Sequence, residues 1–98
     1  MSIEGMRASQ LFNTIQLGTV STLPSFATQF LNTRTGVGYE VAEATDESID
    51  YNLYVKLDAK KTACLKLREN RQTQKATVIN KSLVTWALNW SRLTKPRR

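Results

Sequence analysis

The sequence has no histidine and a single cysteine among its 98 residues. The first absence removes the commonest general base and the commonest metal ligand. The second excludes an internal disulfide and leaves zinc and iron–sulfur sites without a thiolate set. Glycine and proline are sparse, at four and two. Gly36–Val37–Gly38 is too short for a phosphate-cradling loop, and no helix pattern follows it directly. No apolar run approaches the ~18 residues of a membrane-spanning helix. The opening MSIEGMRASQ lacks a charged-then-apolar signal pattern, so the expectation is an intracellular, cytoplasmic protein.

The carboxylates offer little chemistry. Glu40, Glu43, Asp46, Glu47 and Asp50 show neither the spacing nor the glycine pivot of a calcium loop. They fall on alternating exposed positions and in a turn, with no sign of the burial that would separate two acids into donor and base. Cys64 has no histidine partner. Lys56 and Lys66 are the only groups placed to lower its pKa, and it reads as a passenger thiol. No enzyme and no cofactor are expected.

What is present is a long alternating stretch, Ile49–Arg68. Ile49, Tyr51, Leu53, Val55 and Leu57 are apolar at every second position. Beyond Asp58–Thr62 the alternation resumes with Ala63, Leu65 and Leu67. Period two over this length predicts two half-buried strands joined as a hairpin. Pairing Leu57 with Ala63, Val55 with Leu65 and Leu53 with Leu67 keeps the apolar residues on one face. The other face then sets Tyr54 across from Lys66, Asn52 across from Arg68 and Lys56 across from Cys64.

Around this hairpin the chain reads as mainly β, an antiparallel meander of five or six strands with room for one short helix. Residues 1–9 are expected to fray and the basic tail 94–98 to be disordered, flanking a single domain over 1–98. Gln10–Gly18 fits either a strand or a short helix, and the strand is preferred. In Thr19–Thr35, a helix capped by Thr22 with Pro24 in its first turn competes with a strand through Ala27–Asn32. The threonines tip the choice toward strand. Gly36–Ala44 alternates and predicts a strand, with its glycines allowing a bend or bulge at the start. Thr45–Ser48 is an acidic turn, and Glu69–Lys75 a polar loop. Ala76–Ile79 is β-prone and interrupted by Asn80–Ser82. Leu83–Leu93 fits a strand or a helical stripe, and Val, Thr and Trp favour the strand. Trp86 and Trp90 would then share one face, as core or subunit interface.

Charge is unevenly divided. Met1–Val55 holds two basic and six acidic residues, Lys56–Arg98 twelve basic and two acidic. The basic half points to a polyanion. Single-stranded or looped RNA needs cations for phosphates and flat side chains for splayed bases. The polar hairpin face supplies Tyr54 for stacking, Lys56, Lys66 and Arg68 for charge and Asn52 for a hydrogen bond, with Arg71, Lys75 and Lys81 extending the patch. The alternative is an assembly module whose basic half docks an acidic protein or membrane surface without nucleic acid.

The order of these segments resembles the coat proteins of single-stranded RNA bacteriophages. FNTIQLG and ATQFLN stand where the opening strands would be. GYEVAEA, IDYNLYVKL and TACLKL, the last after a KK turn, are similar to the meander strands, and LVTWALNW to the last long strand. The resemblance implies strands paired across a homodimer or larger oligomer, RNA bound on the sheet face through Tyr54, Lys56, Lys66 and Arg68, and a place in the virion.

Overall fold

A computed structural model describes residues 7–96. The alternating segments form the expected antiparallel sheet. Its strands are β1 (Val20–Ser21), β2 (Val37–Ala44), β3 (Ser48–Lys56), β4 (Thr62–Asn70) and β5 (Ala76–Val84), in the order β1-β5-β4-β3-β2. Strands β2 to β5 are a meander, and the two-residue β1 pairs only with the start of β5. Two short helices, α1 (Ala8–Thr14) and α2 (Leu23–Leu31), precede the meander. Among the described residues, no helix is long and apolar enough to cross a membrane.

The hairpin keeps its apolar face, in a register two residues from the expected one. Val55 pairs with Ala63, Leu53 with Leu65 and Tyr51 with Leu67. A shift of two preserves the face of every side chain. Its cause lies in the turn: Asp58 Oδ1 accepts from the amides of Lys60 at 2.7 Å and Lys61 at 2.8 Å. Leu57 N also donates to Lys61 O at 2.9 Å. Leu57 is thereby drawn into the turn, and the ladder closes at Lys56–Thr62.

Both segments preferred as strands before Gly36 are helical. In α1, Leu11 and Phe12 are buried, and Ile15 follows one turn on at the cap. In α2, Thr22 Oγ1 accepts from Ser25 N at 3.2 Å and Pro24 stands in the first turn. Leu23, Phe26, Ala27 and Phe30 are buried at helical spacing. They join Leu53, Val55, Leu65, Leu67 and Val78 of the sheet in one core. Burial of that stripe outweighs the small helix penalty of threonine. FNTIQLG and ATQFLN, which carried part of the coat-protein resemblance as strands, therefore lie in and beside helices.

The end of the chain also departs from expectation. Asn80–Ser82 does not interrupt β5; the strand absorbs an extra residue, Ile79, at a bulge opposite Lys66–Leu67. Another bulge lies between Val41 and Glu43 in β2, rather than at the glycines. Of Leu83–Leu93, only Leu83 and Val84 are strand, as the end of β5. The chain leaves the sheet after Val84 and makes a 3-10 turn at Trp90–Arg92. Leu93, with Leu88 and Trp90, packs on Tyr54, Cys64 and Val84, on the face away from the helices. Gly38 permits this crossing: a Cβ there would meet Leu93 Cβ at 2.9 Å. Thr94, assigned to a disordered tail, instead bridges Tyr39, with N–O distances of 3.0 and 2.9 Å. Of the segment expected to fray, Ala8 is buried in α1. Residues 1–6 and 97–98 lie outside the described part.

Candidate nucleic-acid interface

The sheet face opposite the helices carries the even-numbered residues of β3 and β4. Cross-strand pairs place Asp50 beside Arg68, Asn52 beside Lys66, Tyr54 beside Cys64 and Lys56 beside Thr62. From β5, Thr77, Asn80, Ser82 and Val84 complete these rows. The seven residues expected to form one surface are divided by the fold into four environments.

Tyr54 is sealed under the C-terminal segment at 5% exposure. Its hydroxyl donates to Glu40 Oε1 at 3.0 Å. Burial, followed by that hydrogen bond, pushes its pKa up to about 12. The ring offers no platform for a base, which corrects its expected role. The sequence pattern could not reveal this, because the cover comes from residues 88–93, read there as a strand.

Arg68, Arg71 and Lys75 lie toward the acidic end of the sheet. Arg68 donates Nε and Nη2 to the two oxygens of Asp50, at 2.9 and 3.1 Å. Asp50 is itself buried, and the Arg68 hydrogen bonds hold its carboxyl below the usual carboxylate range against the opposing effect of burial. Arg68 and Lys75 line a hollow with Glu43, Glu47 and Asp50. Arg71, in the β4–β5 turn, donates Nε to Thr45 O at 2.6 Å. Carboxylates surround these cations, so they are not the open basic patch that was expected. Lys81, proposed to extend the patch, lies on the helix side, with Nζ donating to Ile15 O at 2.7 Å and 4.6 Å from the Phe12 ring centre.

Lys56 is exposed at the opposite end, beside the β3–β4 turn. Asn52 and Lys66 remain together on the open middle of the face. They border a shallow hollow of about 240 Å³ with Asn80, Ser82 and Trp86, floored by Tyr54, Cys64 and Val84. Trp86 is 65% exposed, the most exposed large apolar side chain in the described chain. It was assigned to packing together with Trp90, but only Trp90 is half-buried under the fold-back. Asn80, Ser82 and Val84 alternate along β5 on the Lys66 face, and Trp86, just past the strand's end, lines the same hollow.

Two further groups limit the chemistry here. Glu40 meets opposing influences: burial raises its carboxyl, but hydrogen bonds from Arg92, Tyr54 and Asn52 outweigh this and keep it low. Burial pushes the Cys64 thiol up to about 11 despite the nearby Lys66 charge. The thiol is therefore protonated at neutral pH and a poor nucleophile. The hollow can hydrogen-bond, stack and attract an anion. No family model, curated protein or solved structure matches this chain.

Proposed function

We propose that the chain is a non-enzymatic RNA-binding protein that receives a splayed base on Trp86. The observation that carries this reading is the exposed indole lining one hollow with Lys66, on the part of the sheet face that the C-terminal segment leaves open, with the side-chain amides of Asn52 and Asn80 in the same hollow. A stacked base gains roughly 1–3 kcal/mol from an aromatic platform. The lysine supplies a salt-sensitive phosphate contact. The Asn80 amide presents donor and acceptor together, as a base edge requires, and Asn52, which donates to Glu40, adds its carbonyl oxygen.

Self-association belongs to the same proposal. The outer edge of β2 is bridged at Tyr39 and, among the described residues, has no strand partner from Val41 onward, where Val41 is 56% exposed. An unpaired edge is a template for another strand, and a second copy would extend the sheet into a larger RNA-binding face, as a coat-like role demands. Light scattering at several protein concentrations reads this directly.

The binding test is filter retention of a single-stranded RNA across a salt series, with indole fluorescence followed in parallel. Trp86→Ala is expected to weaken binding about 5- to 150-fold, corresponding to the stacking energy, and to abolish most of the quenching. Lys66→Gln should reduce the slope of log affinity against log salt by about one contact. Unchanged retention in both variants would refute the site.

A further inference from the structure

At the β3–β4 turn, on the helix side of the sheet, three cations from distant parts of the sequence line one cleft of about 570 Å³. Arg7 precedes α1, Arg34 follows α2 and Lys61 closes the hairpin turn. Among the described residues, none of the three makes a close ion pair, those being Arg68–Asp50 and Arg92–Glu40, although Lys61 is attracted at longer range to Asp58. Among the described residues, Asp58 is the only acid lining the cleft, and its Oδ1 is engaged by the amides of Lys60 and Lys61. Three like charges around one cavity repel each other until an anion sits between them.

The backbone at Arg34 adds a second observation. Its φ is 61°, the left-handed conformation that follows a helix end and that glycine adopts without steric penalty. Gly36, two residues on, does not take that role. An arginine in this conformation carries a penalty that glycine would remove, and its side chain lines the cleft. The remaining lining is divided. Ser9 and Asn13 offer polar groups, whereas Phe12, Leu57 and Leu83 form an apolar wall. Leu83 is 54% exposed there, with little protein packed over it. The hydroxyls of Thr33 and Thr35 are already donated, to Phe30 O and Lys56 O.

We infer that this cleft binds a phosphomonoester bearing a flat or apolar group, of nucleotide size. Arginine matches phosphate oxygens in pairs, and lysine adds a point charge. The volume lies within the usual range for small-molecule sites. With one acid against three cations, the lining suits a ligand of about two negative charges, the charge of a phosphomonoester near neutral pH. The site stands apart from the Trp86 hollow and does not depend on RNA binding there.

The test is calorimetric titration of the full chain with adenosine monophosphate, adenosine and inorganic phosphate. Saturable binding of one monophosphate per chain is expected, with adenosine at least about tenfold weaker, as loss of charge-assisted bonds implies. Arg34→Gly and Lys61→Gln should each lose about tenfold or more in affinity. Arg34→Gly should do so with an unchanged or higher melting temperature, because it relieves the backbone. Trp86→Ala should bind the monophosphate normally, so failure of the RNA reading and failure of this one are separable. No saturable binding, equal affinity for adenosine, or full affinity in both cleft variants would overturn the proposal. Displacement of the bound monophosphate by an oligoribonucleotide with a terminal phosphate, but not by its hydroxyl-ended counterpart, would identify a strand end as the source. Displacement by neither would identify a free nucleotide, and equal displacement by both would overturn the phosphate requirement.

Discussion

Gly38→Ala tests how the C-terminal segment is held on the sheet. Gly38 pairs with Tyr54 in the ladder, and Leu93 crosses directly above it. An added Cβ would lie 2.9 Å from Leu93 Cβ and 3.0 Å from its Cδ1. The first of these atoms is fixed to the backbone and cannot rotate away. Overpacking of this kind costs about 1–3 kcal/mol. With an unfolding entropy of ~2.1 cal/mol/K per residue, that corresponds to roughly 5–15 °C in melting temperature. Gly36→Ala is the control. Its Cβ would meet Lys56 Cβ at 3.6 Å, an ordinary contact, and its φ is not left-handed. The control should be neutral or gain about 0.4–1 kcal/mol from a stiffer unfolded chain. Thermal unfolding followed by circular dichroism gives the difference. Hydrogen exchange locates it, because the amides of Tyr39 and Thr94 bond each other's carbonyls beside the clash. Equal melting temperatures for the two variants, with exchange unchanged at Tyr39 and Thr94, would refute the close crossing and reopen the Tyr54 ring to solvent.

Acid should destabilise the fold through Asp50 and Glu40, whose carboxyls are both held below their ordinary values. Each binds protons more weakly folded than unfolded, so its stabilisation is present above the unfolded carboxylate range, near ~4, and is lost as pH falls through its lower folded value. Urea midpoints should drop as pH falls from about 5 to about 3, and Asp50→Asn should make the dependence shallower; an equally steep dependence would remove Asp50 from that account. The Cys64 thiol, raised to about 11 by burial, should react with a thiol reagent far more slowly in the native chain than in urea. Comparable rates would mean that the C-terminal cover opens freely.

The hairpin was legible because a half-buried strand writes its burial directly into alternate positions. Leu53, Val55, Leu65 and Leu67 face the core as the alternation required. Their exact partners were not legible, since a shift of two leaves the pattern unchanged and Asp58 decided the matter through two amide bonds. The helices, weighed as alternatives, were passed over for strands for a related reason. Phe26, Ala27 and Phe30 fit a helical stripe, but so short a segment becomes helical mainly by packing on a sheet that is not written locally. Tyr54 shows the same limit at the candidate site. Its strand position marks the polar face correctly, while its burial depends on Leu93, a residue 39 positions away that reaches it over Gly38. Trp86 is the converse case. It lies two residues past the end of β5, in one hollow with Lys66, and the fold-back that covers Tyr54 leaves it exposed.

Charge makes the final distinction. The acidic first half and basic second half meet in the folded chain: Glu40 pairs with Arg92 and Asp50 with Arg68. The sheet is thereby graded along its strands. Glu43, Asp46 and Glu47 gather near the β2–β3 turn, with Arg71 and Lys75 among or beside them. At the other end Lys56, Lys60 and Lys61 gather at or near the β3–β4 turn with Arg34 and Arg7, where, among the described residues, Asp58 is the single acid. Lys66 lies between, opposite Asn52 and so about 13 Å along β3 from Lys56 at strand spacing. A polyanion drawn to bulk charge would not sense this gradient, whereas one bound at the Trp86 hollow would extend toward the β3–β4 turn. Lys60→Gln with Lys61→Gln removes two charges, as does Arg71→Gln with Lys75→Gln. The first pair should weaken RNA retention and flatten its salt dependence by up to about two contacts, and the second should change both less. Equal losses from the two pairs would reduce the attraction to net charge and leave the orientation without support.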